Sequence, residues 1–169
     1  MSTMELGTGI PAISLRLLIA CCGAGIVAVL GNGGIGGPAL VLIALAVLMS
    51  AGVPASPAAT LVILLVALSV MAIGGNPFSP RVLALVPLVH LLHVSCGLAA
   101  LIPVRARIQP AALRAPAIRF VAIQGGVFAL AGLMAIAPTG RVPGLVELVA
   151  VGGIAAIAVI LWWLVHGSL

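Results

Sequence analysis

Charged side chains are nearly missing from this chain of 169 residues. It contains no Asp, no Lys and no Tyr, and its two carboxylates are Glu5 and Glu147. Charged residues make up 5% of the chain, whereas about 25% is usual for a soluble domain. Because a protein in water needs a polar surface, this composition excludes a soluble globular domain. Nucleotide sites and most metal sites depend on charged clusters, which this chain has few residues to form.

The residues that are present are mostly apolar. Hydrophobic residues account for 64% of the chain, and the mean hydropathy is +1.45. A helix of about 20 predominantly apolar residues is long enough to cross a bilayer. The composition therefore predicts an all-α, polytopic integral membrane helix bundle in which residues 1–169 form a single transmembrane domain. The lipid bilayer is its first predicted partner.

Proline and glycine divide the apolar sequence into six predicted transmembrane helices, at about residues 12–30, 35–51, 56–74, 80–102, 117–137 and 143–165. The third and fourth have the clearest starts, at Ser56-Pro57 and Ser79-Pro80. Serine is a favoured helix cap, and proline suits the first helical position. The second candidate is short. If residues 31–51 re-enter the membrane instead of crossing it, five spans remain.

Arginine supplies all seven basic charges and predicts the orientation. Four of the arginines crowd the connection between the fourth and fifth predicted spans: Arg105, Arg107, Arg114 and Arg119. Basic residues concentrate on the cytoplasmic side of membrane proteins, so we place this connection in the cytoplasm. Six spans then put both termini in the cytoplasm, in an inner or plasma membrane. This orienting role explains the basic charge without nucleic acid as a partner.

The segment from Gly31 to Gly37 contains a literal G-x-G-x-x-G pattern. Such a pattern holds a pyrophosphate only where it follows a strand, opens a helix and is followed about 20 residues later by an acidic residue. Here it follows a predicted membrane span, and no acidic residue stands at that distance. We therefore exclude a dinucleotide site. A simple outer loop is favoured over the alternative, an irregular segment that lines a cavity.

The most specific group of polar residues consists of His90, His93 and Cys96. Their three-residue spacing places them in a slowly drifting stripe on one side of the fourth predicted span, near mid-membrane. Imidazole binds metals and haem iron, but the chain offers few further ligands. The pattern favours neutral histidines hydrogen-bonded within the bundle or to a partner subunit. A proton or ion relay and a metal or haem site are the alternatives, and no cofactor or metal is predicted.

Two further polar residues are candidates for a role inside the membrane. Gln124, in the fifth predicted span, is able to bridge helices by hydrogen bonds. Glu147 lies near the start of the sixth, where the helix dipole stabilises a carboxylate; the alternative is a coupling carboxylate of a transporter. Near Gln124, the small residues Gly125, Ala129 and Gly132 share a helix face. Such faces let helices approach closely in lipid, so we predict a packing seam.

The residues favour a non-catalytic protein over an enzyme. The serines inside predicted spans have no acidic partner at a useful spacing, and no catalytic motif occurs. Sparse polar residues and small-residue faces favour a non-catalytic membrane subunit or scaffold, with other membrane subunits or further copies as partners. A small oligomeric transporter or channel is the alternative, favoured by the glycine-rich break, His90, His93 and Glu147. A haem- or metal-binding redox protein is favoured by the histidines alone.

The predicted orientation is testable by labelling single cysteines at Thr3, Gln109 and Ser168 with a membrane-impermeant reagent. All three are expected to be protected in intact cells and labelled after permeabilisation, because both termini and the arginine-rich connection are placed inside. Labelling of Gln109Cys from outside would contradict the orientation. Opposite sides for Thr3Cys and Ser168Cys would mean an odd number of spans.

Overall fold

A computed structural model describes residues 9–76, 78–136 and 152–153. The chain divides into two compact units, residues 1–132 and 133–169, and the packing described below belongs to the first. The described elements are two short strands and five helices: β1 (Ile10–Pro11), α1 (Ile13–Gly31), α2 (Gly37–Gly52), α3 (Ala58–Ile73), α4 (Pro80–Leu101), β2 (Arg107–Ile108) and α5 (Pro110–Ile136). The predicted all-α class is confirmed, with the two strands as a small addition.

Three of the helices, α1, α4 and α5, are long and apolar enough to cross a membrane. The other two, α2 and α3, are also apolar but have 16 residues each. Apart from residues 152–153, the predicted span 143–165 lies outside the described residues. The fold is thus that of a membrane helix bundle, while the number of six spans stays a prediction.

The starts of α3 and α4 follow the serine–proline pairs of the sequence. Ser79 caps α4 as predicted, since its hydroxyl accepts a hydrogen bond of 3.4 Å from the Val82 N–H. In α3 the cap lies one residue later than expected. Pro57 is the N-cap, and the Ser56 hydroxyl accepts from the N–H of Ala58 at 3.4 Å.

Helix α5 begins at Pro110 and not at the predicted residue 117. Pro110 suits a helix start because its missing N–H would have no partner there. The first turn is closed by the Ala112 N–H, which donates to the Gln109 carbonyl at 2.9 Å. Pro116, taken from the sequence as the boundary, lies inside the helix, where it removes one backbone hydrogen bond without ending the helix. As a result Arg114 and Arg119 are helical residues and not part of a loop.

Two arginines join helix ends and show that the first helices run antiparallel. Arg16, near the start of α1, donates to the carbonyls of Ala51 (3.2 Å) and Gly52 (2.5 Å) at the end of α2. Arg81, at the start of α4, donates to the carbonyl of Gly33 at 3.4 Å, just beyond α1. The last carbonyls of a helix have no helical donor and carry partial negative charge, so a guanidinium there is stabilising. Helix α2 therefore runs back along α1, and residues 32–36 form a short connection.

The two strands join the entry to α1 with the connection between α4 and α5. Ile10 pairs with Ile108 and Pro11 with Arg107 in an antiparallel ladder, and the Ala12 N–H donates to the Ala106 carbonyl at 3.0 Å. Residues 9–12 and 106–108 consequently lie at the same end of the bundle. The sequence does not predict this pairing, because each strand has only two residues.

Helix α1 lies at the centre of the bundle and packs against both α2 and α4. Its buried side chains recur at helical spacing: Leu15, Ile19, Cys22, Ile26 and Leu30. The closest approach is at Gly23, where an added Cβ would overlap Cγ1 of Val47 and lie 2.8 Å from its Cγ2. Only glycine leaves room for Val47 here. The contact between α1 and α2 therefore depends on a missing side chain.

We predict that Gly23→Ala destabilises the bundle by about 1–3 kcal/mol, the usual cost of overpacking a core, because Val47 is buried and stiff. Gly97→Ala in α4 is the matched control, since nothing lies within 4 Å of a Cβ added there. Unfolding in detergent mixtures measures both variants. Adding Val47→Ala to Gly23→Ala should restore part of the loss. Equal stability of Gly23→Ala and Gly97→Ala would contradict the close contact.

Candidate intramembrane polar site

His90 lies midway along α4, and a hydrogen bond joins it to α5. Nε2 of Gln124 lies 2.6 Å from Nδ1 of His90. Gln124 is only 7% exposed, although most of its helix is exposed. Phe120, one turn before Gln124, packs its ring against the imidazole with centroids 5.0 Å apart and planes tilted by 39°. An aromatic and an amide side chain at i and i+4 on α5 thus hold one histidine of α4.

The hydrogen bond indicates which ring nitrogen of His90 remains available. When the Gln124 amide donates to Nδ1, the neutral imidazole carries its proton on Nε2. Oε1 of Gln124 is buried and has no hydrogen-bond partner among the described residues. Rotating the amide by half a turn would let Oε1 accept from a protonated Nδ1, which leaves Nε2 as an acceptor. The pair is therefore compatible with either tautomer of His90.

His93 lies one turn further along α4 and is exposed. Cys96, the third residue of the predicted stripe, is instead buried in the core at 3% exposure. A three-residue step falls short of a full helical turn by about 60°, so two steps rotate Cys96 well away from His90. The structure therefore brings His90 together with Gln124 and separates Cys96 from them. Glu147 lies outside the described residues.

An open groove of about 540 Å³ separates α3 from α4 on the side of the histidines. It forms because α3 packs less closely against α4 than α1 does. Both His90 and His93 line it. Its walls are otherwise apolar and mostly valine and isoleucine, including Ile63, Val66, Val70, Val82, Val86 and Val89. We call this feature the α3–α4 groove.

The polar groups of the site are two imidazoles and one amide. In the described ranges, no three His, Cys, Asp or Glu side chains come together in a way that would hold a metal ion. The imidazoles are flanked by an amide, an aromatic ring and aliphatic side chains. In such surroundings an imidazole is stabilised by a hydrogen-bond partner. The arrangement therefore provides a hydrogen-bonding contact between α4 and α5, with a second imidazole beside it.

Two parts of the site do not emerge from the sequence reasoning. Phe120 was not among the candidates, although its position one turn before Gln124 is a usable signal. The groove itself depends on the distance between two helices, which no local pattern encodes. His90 and Gln124 were both candidates, but their pairing across 34 residues required the structure.

Comparison of the chain with protein-family models, curated proteins and solved structures finds no match. Function is therefore inferred from the residues and geometry of this chain alone.

A double-mutant cycle tests the contact between α4 and α5. We expect His90→Leu and Gln124→Leu to be coupled by about 0.6 kcal/mol in unfolding free energy, the average for hydrogen bonds inside membranes. The control pair, His93→Leu with Gln124→Leu, should show coupling near zero, because the contact is made by His90. Stronger coupling in the control pair than in the test pair would show that Gln124 is bonded to the other histidine.

Proposed function

We propose that the protein is a small non-catalytic integral membrane subunit that associates with other membrane subunits or further copies of itself through α5. The observation that carries this proposal is the small-residue face of α5, formed by Gly125, Ala129 and Gly132. All three residues are exposed. Nothing in the described structure lies within 4 Å of a Cβ added at Gly125 or Gly132.

Two different faces of α5 support this interpretation. The more buried residues of α5 recur at spacings of three, four, four and seven and define the face toward the bundle: Leu113, Pro116, Phe120, Gln124 and Ala131. Gly125 and Gly132 are rotated from Gln124 by about 100° and 80°, so they lie to one side of that contact. The small-residue face is part of the large exposed surface of α5, and the described residues do not cover it at Gly125 or Gly132.

The way in which helices associate in lipid explains why the small-residue face would bind another helix. Apolar side chains gain little from leaving hydrocarbon, so association depends on close packing of backbones. Small residues at i, i+4 and i+7 permit that approach, whereas a purely lipid-facing surface has no need of them. The seam predicted from the sequence is therefore proposed as an interface to another polypeptide.

We further propose six spans with both termini in the cytoplasm. The pairing of β1 with β2 supports this orientation, because it brings the entry to α1 and the arginine-rich connection to the same end of the bundle. The arginine contacts of α2 and α4 support alternate crossing by the first four helices. Arg16, Arg105, Arg107 and Arg114 then lie at the cytoplasmic end and Arg81 at the outer end, as the positive-inside rule requires.

A small oligomeric transporter or channel is the second candidate. It is favoured by the hydrogen bond between His90 and Gln124, which puts polar groups near the middle of two long apolar helices. Polar residues at that depth often mark a substrate or proton path. Flux of protons or solutes into proteoliposomes that disappears in His90→Leu would favour this candidate over the first.

We predict that Gly125→Leu, with or without Gly132→Leu, weakens association at least tenfold. A leucine on the small-residue face prevents the close backbone approach. The mass of the complex in mild detergent, followed over protein concentration, measures the effect. Gly97→Leu is the matched control, because Gly97 is an exposed helical glycine with nothing within 4 Å of an added Cβ.

Two results would contradict the proposal. An unchanged mass in the Gly125→Leu, Gly132→Leu variant would show that the face takes no part in association. Reduced unfolding stability with an unchanged mass would show that residues of the same chain fill the face. The expected result is a lower mass of the complex in detergent, with unchanged helical content and unchanged stability of the monomer.

A further inference from the structure

The α3–α4 groove combines an apolar body with hydrogen-bonding groups at mid-membrane depth. We propose that it binds a lipid-soluble molecule with a carbonyl or hydroxyl oxygen on an apolar ring, the chemistry of a quinone. The ligand's ring or chain would lie between α3 and α4, and its oxygen would meet His90 and His93. This site does not involve the small-residue face of α5, so the proposal of a ligand does not depend on the proposed association.

The size and walls of the groove suit the apolar part of such a ligand. Its volume of about 540 Å³ lies within the range of about 300–1,000 Å³ that is usual for small-molecule sites. The walls come from aliphatic side chains of α3 and α4 and contain no charged group. An ion or a phosphate would lose its hydration here without gaining a counter-charge. The groove therefore selects a neutral, apolar molecule.

The two imidazoles provide the polar end of the site. Nδ1 of His90 is engaged by Gln124, which leaves Nε2 free to donate a hydrogen bond. His93, at i+3, lines the same groove and has no hydrogen-bond partner among the described residues. An imidazole without a partner is costly in hydrocarbon, and a ligand oxygen would satisfy it. Because Gln124 permits either tautomer of His90, the site accommodates both a carbonyl acceptor and a hydroxyl donor.

Depth distinguishes this ligand from ordinary membrane lipid. His90 lies ten residues into α4, about 15 Å from its Pro80 end. The hydrocarbon core is about 30 Å thick, so His90 lies near its centre, far from the ester and phosphate groups of phospholipids. An acyl chain could fill the groove but would leave Nε2 of His90 and the imidazole of His93 without a hydrogen-bond partner. The occupant must carry its oxygen to mid-membrane on an apolar body.

Binding of decylubiquinone to the purified full-length protein in detergent tests the proposal. We expect saturable binding that is about fivefold weaker in His90→Leu and in His93→Leu, the usual effect of one neutral hydrogen bond. Ala67→Phe, which fills the groove, should weaken binding at least tenfold. Ala72→Phe, an exposed position of α3 outside the groove, is the matched control and should bind like wild type.

A second measurement on the unaltered protein separates recognition from folding defects. In protein labelled with ¹⁵N-histidine, decylubiquinone should shift the Nε2 resonance of His90. Decylbenzene, which carries the same decyl chain on a six-membered ring without oxygen, should leave that resonance unchanged and bind less tightly. Equal affinity for the two compounds, or wild-type affinity in both His93→Leu and Ala67→Phe, would overturn the proposal. His93 is exposed, so its replacement keeps this test informative if His90→Leu fails to fold.

Discussion

The structure depends on one constraint: a backbone surrounded by hydrocarbon has no water with which to form hydrogen bonds. A chain with 5% charged residues must therefore pair its N–H and C=O groups internally, and helices do so for all but their ends. At those ends a few polar side chains provide hydrogen-bond partners for the backbone. Ser79 accepts from the first turn of α4, while Arg16 and Arg81 donate to carbonyls at the ends of α2 and α1. The short β1–β2 ladder pairs backbone groups at the same end as Arg16.

The second consequence of the hydrocarbon environment is that close packing decides which helices touch. At Gly23 the absence of a side chain lets Val47 of α2 approach α1. Where no such fit exists, as between α3 and α4, a groove remains. Helix α5 carries small residues on a face that its own unit does not use. The same rule thus accounts for the compact contact of α1 with α2, for the groove and for the face that we assign to a partner.

Local features of the fold were predictable from the sequence, and distances between helices were not. The serine–proline start of α4 and the break after Gly31 follow from the preferences of single residues, and both occur near the predicted positions. Pro116 misled the prediction for α5, because a proline inside a helix removes one backbone hydrogen bond without necessarily ending the helix. His90 and Gln124 were recognisable as costly polar residues in apolar runs. Their hydrogen bond depends on how α4 and α5 meet, which no spacing within either helix specifies.

The two short helices, α2 and α3, are the hardest to reconcile with a backbone that must cross the hydrocarbon as helix. At 16 residues, α2 and α3 are each about 24 Å long, less than the usual hydrocarbon thickness of about 30 Å. Arg16 nevertheless joins the start of α1 to the end of α2, as a helix that crosses fully requires. Local thinning of the bilayer would accommodate the difference at modest cost.

Whether α2 crosses the bilayer is tested most directly by labelling single cysteines at Gly36 and Val53, on either side of α2, with a membrane-impermeant reagent. The account predicts that the reagent reaches Gly36Cys in intact cells and reaches Val53Cys only in inverted membrane vesicles. Labelling of both from the same side would show that α2 re-enters instead of crossing, and would contradict the bundle proposed for this chain.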